Sequence, residues 1–255
     1  MPAVKEKAVV KVAALGDIHY TKYSQGTLQP LFSQIMESAD VLALCGDLTD
    51  YGLPEEAHVL ARDLANIKIP IVGVLGNHDF ESGQQTEVCQ ILTEAGVRLL
   101  DGDACEINGV GFAGAKGFAG GFGRGALGSW GEAAIKMFVK EAMDEAMKLE
   151  SAVARLRTPQ KVVLLHYSPV QATVAGEPCE IYPFLGSSRL EDPLIRYPVD
   201  VVFHGHAHNG CPEGQTANNI PVYNVAFPLM RKTMTDRPPF RLLELPVTQP
   251  ETAQV

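Results

Sequence analysis

Short apolar runs recur along this chain, and several of them stop in the same way. Val41 to Asp50 reads VLALCGDLTD, in which apolar or small residues lead straight into Gly46-Asp47. An unbroken apolar run that stops at a turn is how a strand buried on both faces reads. VAALGDIH stops at Asp17 and His19, IVGVLGNHD at Asn77 and His78, VVLLH at His166, and VVFHGHAH at His206 and His208. In open α/β sheets the ligand crevice lies outside the carboxyl ends of the strands, so these polar residues are expected to converge on one place.

Between the runs the period changes to that of helices. Ala8 to Leu15 predicts a strand, Thr27 to Ala39 a helix, Val41 to Cys45 a strand, and Pro54 to Ile67 a helix with proline in its first turn. Ile69 to Leu75 predicts a third strand and Thr86 to Ala95 a short helix, while Ala104 to Ala115 predicts a hairpin turning at Asn108-Gly109. Gly109 to Gly131 holds ten glycines in 23 residues and is expected to be a loop. Ser129 and Glu132 suggest a capping box for a long helix with Ile135, Phe138, Ala142, Ala146, Leu149, Val153 and Leu156 on its apolar face. Val162 to His166, Val199 to Phe203, Ile220 to Val225 and Phe240 to Leu245 predict further strands, with a loose tail from Pro246. This is an α/β pattern whose sheet turns from parallel to partly antiparallel.

Length and charge narrow the classes. At 255 residues without an interdomain linker, a single domain over 1–255 is expected. The formal charge is -9, which disfavours tracking along nucleic acid. An anionic substrate therefore requires a local positive centre. Five cysteines without a CxxC pair argue against a disulfide framework or a zinc knuckle. Lys5, Glu6, Lys7 and Lys11 spoil a secretion signal, and no apolar run is long enough to span a bilayer. A cytoplasmic location is expected, with no membrane partner.

Histidine sets the chemistry. Of the seven histidines, all but His58 lie at predicted strand ends. A histidine satisfied by a backbone carbonyl would explain any one of them, but not six together. With Asp17, Asp47 and Asn77 they supply mixed nitrogen and oxygen donors, which suit Mn, Fe or Zn better than Mg or Ca. Cys45 is read as a small buried strand residue.

Asp17-x-His19, Gly46-Asp47-x-x-Asp50, Gly76-Asn77-His78-Asp79, His166 and Gly205-His206-x-His208 resemble, in order and approximate spacing, the motifs of the calcineurin-like metallophosphoesterases. The resemblance spans about residues 12 to 226. It implies two facing mixed β-sheets flanked by helices, an α/β/β/α sandwich. It also implies two metal ions, most readily Mn or Fe with Zn as a further candidate. One would be held by Asp17, His19, Asp47 and His208, the other by Asp47, Asn77, His166 and His206, with Asp47 bridging. His78 would lie by the substrate phosphate without binding metal, and the reaction would be attack of a metal-bridging hydroxide. Two divalent ions less two carboxylates and one hydroxide leave the site at about plus one, the attraction that an acidic chain needs.

Neighbouring residues have plainer readings too. Asp79 is expected to orient the His78 ring, against the alternative of a turn aspartate. Asp50 is read as a helix-start or supporting residue, His204 as a supporting residue beside His206, and His58 as a solvated helix residue. Gly123-Arg124-Gly125-Ala126-Leu127-Gly128 matches GxGxxG but does not follow a strand, so no dinucleotide site is expected.

The glycine segment with Lys116 and Arg124, and Cys179 to Tyr197 with Tyr182, Arg189 and Arg196, are expected to overhang the metals and set specificity. These features favour a small phosphodiester over a polynucleotide or phosphoprotein. Tyr167-Ser168-Pro169 follows His166 where cyclic-nucleotide phosphodiesterases of the family often have a second histidine. A phosphomonoesterase or protein phosphatase remains the rival activity, and a non-catalytic scaffold of the same fold the rival class.

Overall fold

Strand β2 (Val41–Cys45) is buried at all of its residues and lies between β1 (Ala8–Leu15) and β3 (Ile71–Val74), both parallel to it. The computed structural model describes residues 8–247. The first sheet continues through the three-residue strand β4 (Val97–Leu99) and is closed on its other edge by β11 (Arg241–Val247), antiparallel to β1.

The second sheet is built from β5 (Asp103–Ile107), β6 (Val110–Gly114), β7 (Gln160–Leu164), β8 (Val201–His204), β9 (Glu213–Gln215) and β10 (Pro221–Asn224). Its order is β5-β6-β7-β8-β10-β9, with a parallel centre and an antiparallel strand at each edge. Both sheets are thus mixed, as expected.

The period of two along each strand divides the core into three layers. Val12, Ala14, Ala43, Cys45 and Val74 point between the sheets and meet Val110, Phe112, Val162, Leu164 and Phe203. Ala13, Leu15, Leu42 and Leu44 point the other way, against Phe32 and Ile35 of α1 (Gln29–Ser38), Leu60 and Leu64 of α2 (Pro54–Leu64), and Val88 and Leu92 of α3 (Gln85–Glu94). On the far side, Ala113, Val163 and Val202 carry α4 (Ala133–Arg155). Three short helices, α5 (Tyr182–Leu185), α6 (Glu191–Arg196) and α7 (Phe227–Thr233), complete the fold.

Several expectations need correction. Ala104 to Ala115 does form the hairpin, and Asn108 and Gly109 both take positive φ, 53° and 78°, as a two-residue turn requires. The glycine loop is therefore shorter than its composition suggests, because Val110 to Gly114 is a fully buried strand held by partners on both edges. The Ser129–Glu132 box does not form: α4 begins at Ala133, and Glu132 makes no side-chain cap. The first turn of α4 is exposed, Ile135 included, and burial begins at Val139 and continues through Ala142, Glu145, Leu149, Ala152 and Val153. Pro246 and Val247, read as loose, pair with Val9 and Ala8 in β11, an edge position where proline is tolerated. The remainder of that tail, from 248, lies outside the described residues.

Phe112 fills the layer between the sheets with no exposed surface, so Phe112→Ala is expected to destabilise the protein by about 3–5 kcal/mol. Val9→Ala, at a side chain 46% exposed, should stay within about 0.5 kcal/mol. Urea unfolding of the two variants beside the parent checks both.

Candidate metal centre

The carboxyl ends of β1, β2, β3, β7 and β8 converge, and the chain leaves several of them in an unusual conformation. Asp17, His19, Asp47 and His206 all have left-handed backbones, with φ of 54°, 43°, 47° and 71°. Each costs about 1–3 kcal/mol for a residue with a side chain, and such strain collects at functional sites. The turns are interlocked: the Asp17 N–H donates to the Gly46 carbonyl at 2.9 Å and the His19 N–H to the Asp47 carbonyl at 3.0 Å.

Two clusters of donor atoms result, Asp17 with His19 and His208, and Asp47 with His166 and His206, and a third, Asp50 with His78, shares His19 with the first. Within each, the possible ligand atoms lie within 4.8 Å of one another. Asn77 joins the second cluster, its Oδ1 2.9 Å from His166 Nε2. Asp47 stands between the two, with Oδ1 3.3 Å from His166 Nε2 and Oδ2 3.8 Å from His19 Nε2. Every residue read from the sequence as a metal ligand therefore lies in this one region.

Outer contacts decide which nitrogen each ring presents inward. His166 Nδ1 donates to the Cys45 carbonyl at 3.0 Å, so Nε2 faces the cluster. His206 Nε2 donates to the Phe184 carbonyl at 3.1 Å, which leaves Nδ1 toward His166 at 3.1 Å. His19 Nδ1 donates to Asp50 Oδ1 at 3.1 Å, and its Nε2 is buried without any hydrogen-bond partner. An orphaned buried nitrogen beside two carboxylates fits a cation. The mixed imidazole, carboxylate and amide donors suit Mn, Fe or Zn.

Charge is concentrated here. Burial drives the Asp47 carboxyl upward, yet His166 and the His78 N–H outweigh it and hold the group well below the usual range. Burial alone would lower His166, but Asp47 raises it to about 9. His206 is pushed down to about 4 by burial and by His166.

Asp79 is not where the sequence suggested. Its carboxylate accepts the N–H groups of Thr49 and Gly76 at 2.8 Å and of Leu48 at 3.2 Å, plus the Thr49 hydroxyl at 2.6 Å. It fastens the turn after β2 to the turn after β3. The His78 ring is held instead by the Asp50 carbonyl, 2.6 Å from Nδ1, while the His78 N–H donates to Asp47 Oδ1 at 2.8 Å. Asp50 thus supports both His19 and His78. His204 is fully buried against the Thr173 hydroxyl at 2.8 Å, and His58 is exposed on α2.

The two long segments are stitched together. Gly120 donates to the Pro183 carbonyl at 2.7 Å, Gly121 to Gly186 at 2.9 Å, and Ser188 to Gly121 at 3.1 Å. Arg189 is engaged by the Leu127 carbonyl at 2.6 Å, and Arg196 by Glu150 at 2.9 Å. The Phe184 contact to His206, made by a backbone carbonyl, had no side-chain signal in the sequence.

Two facing mixed sheets with their donor residues at one end form the metallophosphoesterase sandwich. Residues 10–210 match the sequence profile of the calcineurin-like phosphoesterases, and the chain belongs to that family. No curated protein sequence matches the chain. Among solved structures, a phosphopantetheinyl hydrolase from Mycobacterium tuberculosis is 16% identical with a TM-score of 0.65, over 94% of this chain and 97% of the other. TT1561 of Thermus thermophilus is 16% identical with a TM-score of 0.53, over 94% and 99%. GAP50, the anchor in the inner membrane complex of Plasmodium, is 13% identical with a TM-score of 0.51, over 87% and 73%. At such identities the likeness concerns the fold. No helix among the described residues is long and apolar enough to cross a membrane.

Gly76 is the point at which the turns after β2 and β3 touch, since a Cβ there would lie 2.2 Å from Asp47 Oδ1 and 2.3 Å from its nitrogen. Gly76→Ala is therefore expected to displace Asp47 and lower bound metal per chain at least twofold, as read by elemental analysis of the purified variant.

Proposed function

We propose that the chain is a dinuclear metal-dependent phosphoesterase acting on a small phosphodiester. The observation that carries this reading is the common orientation of the imidazoles. His19, His166 and His206 each turn one nitrogen to a protein acceptor and the other to the space beside Asp17 and Asp47. A pair of divalent cations bound there supplies an activated water as nucleophile and positive charge for the phosphoryl oxygens.

The chain's own groups do the rest. Asp17, His19, Asp47 and His208 would hold one cation, and Asp47, Asn77, His166 and His206 the other. His78 keeps Nδ1 on the Asp50 carbonyl, so that when the ring carries both protons its Nε2–H would steady, or give a proton to, the leaving oxygen. Asp79 acts at one remove, holding the two turns that carry Asp47 and His78. Asp50 fixes the rings of His19 and His78.

Substrate size follows from access. The glycine segment and the segment around α5 are joined by backbone hydrogen bonds, and the second reaches His206 through Phe184. A roofed site of that kind favours a small ester over a protein surface or a polynucleotide. A strongly acidic chain without basic runs disfavours polynucleotides independently.

The deciding experiment compares bis-p-nitrophenyl phosphate, p-nitrophenyl phosphate, cyclic nucleotides and a phosphopeptide with Mn²⁺-loaded protein, read as kcat/KM. A diester should lead. A monoester preference of tenfold or more, about 1.4 kcal/mol in transition-state binding, would make the protein a phosphatase. Absence of bound metal together with absence of turnover would favour a scaffold.

Two substitutions separate the roles. Asp47→Asn should lower activity by roughly a thousandfold or more and reduce bound metal, whereas His78→Ala should lower kcat by about a hundredfold with metal stoichiometry intact. Metal loss in the second variant would reassign His78 as a ligand.

A further inference from the structure

His206 and His208 are carried by a turn that the backbone alone disfavours. The Ala207 N–H reaches back across His206 to the Gly205 carbonyl at 2.9 Å, and His206 has a φ of 71°. A hydrogen bond closed over a single residue at positive φ makes the rare, strained form of the three-residue turn. The His206 N–H is taken by both Asp17 oxygens, at 2.9 and 3.0 Å, and a Cβ on Gly205 would lie 2.1 Å from Asp17 Oδ2. One histidine of each main cluster hangs from this short segment, His206 with Nδ1 3.1 Å from His166 Nε2 and His208 with Nε2 2.9 Å from Asp17 Oδ1.

Two buried side chains hold the carbonyls on either side of His206. His204 and Asn224 are register partners on the parallel strands β8 and β10, and neither has exposed surface. His204 Nδ1 lies 2.8 Å from the Gly205 carbonyl, and Asn224 Nδ2 donates to the Ala207 carbonyl at 2.7 Å. A carbonyl only accepts, so His204 Nδ1 carries the proton and Nε2 accepts from the Thr173 hydroxyl at 2.8 Å. Thr173 is fully buried as well, and its carbonyl accepts the Cys211 N–H at 3.1 Å, where the chain leaves the turn. His204 belongs to none of the donor clusters, although it stands two residues from His206.

We propose that His204 is a positioning residue for the metal ligands. Its Nδ1–H, together with the Asn224 amide, holds the turn from Gly205 to Ala207 in the strained form that aims His206 and His208 at the cations. The inference rests on the metal-dependent reading above and concerns what shapes the site before the ions arrive.

Asparagine carries a donor at the place of Nδ1, and glutamine carries a polar atom at that of Nε2, so the two replacements give up opposite halves of the ring. His204→Asn keeps the contact to Gly205 and loses the one to Thr173, whereas His204→Gln does the reverse. Each loses one buried hydrogen bond, so the chelator-treated variants should unfold at closely similar temperatures. Calorimetric titration of the full chain with Mn²⁺ should nevertheless separate them. His204→Asn should stay close to the parent, while His204→Gln should bind Mn²⁺ about tenfold or more weakly, the usual cost of losing a contact that orients a ligand. Equal affinity in the two variants overturns the proposal, whether both match the parent or both fall, and so does the reverse order. Loss of cooperative unfolding in either metal-free variant also overturns it, because His204 would then serve the fold as a whole. A parent chain that takes up no Mn²⁺ removes the metal-dependent reading itself, a result distinct from variants that bind alike.

Discussion

Asp47 is a carboxylate only 1% exposed, and taking such a charge from water costs several kcal/mol unless its surroundings answer it. They answer from three sides: the His78 N–H on Oδ1, the His166 ring beside it, and the space it shares with His19. Beneath it Asp79 is also fully buried, and burial together with Asp47 raises its pKa. Its four donors come from the turns that frame Asp47, so the second carboxylate fixes the position of the first. The ends of the first sheet depend on this stacked pair, and the second sheet contributes the histidines that complete it.

This arrangement reconciles an acidic chain with an anionic substrate. A net charge of -9 repels phosphate at long range, but that repulsion is screened beyond roughly 10 Å at ordinary ionic strength. Inside the crevice, cations held by the clustered Asp and His donors would dominate.

How much of this could be read in advance depended on where the signal lay. Buried parallel strands ending in Gly-Asp or Gly-Asn-His carry both the element and its ligand in one short window, so β1 and β2 and the donors at their ends were legible. The hairpin at Asn108-Gly109 was equally plain, because its turn demands positive φ twice. Other features were hidden by geometry. β4 and β9 have three residues each, too few for a period, and exist through their neighbours. Glycines in β6 mimic a loop although partner strands pin both of its edges. Asp79 follows His78 in sequence but reaches back to Leu48 and Thr49, a contact about thirty residues distant that no local pattern encodes. The same holds for the Phe184 carbonyl, since any residue could supply it.

The left-handed backbones of Asp17, His19, Asp47 and His206 narrow what these positions can become. Asparagine, aspartate and histidine tolerate that region better than most residues with a side chain, and branched residues tolerate it poorly. A longer carboxylate at Asp17 or Asp47 would be opposed twice, by reach and by torsion. The repertoire of interchangeable donors is thus filtered by the peptide chain before any ion is bound, and divergence within such a centre has little freedom except to trade one short polar side chain for another or to abandon the ion altogether.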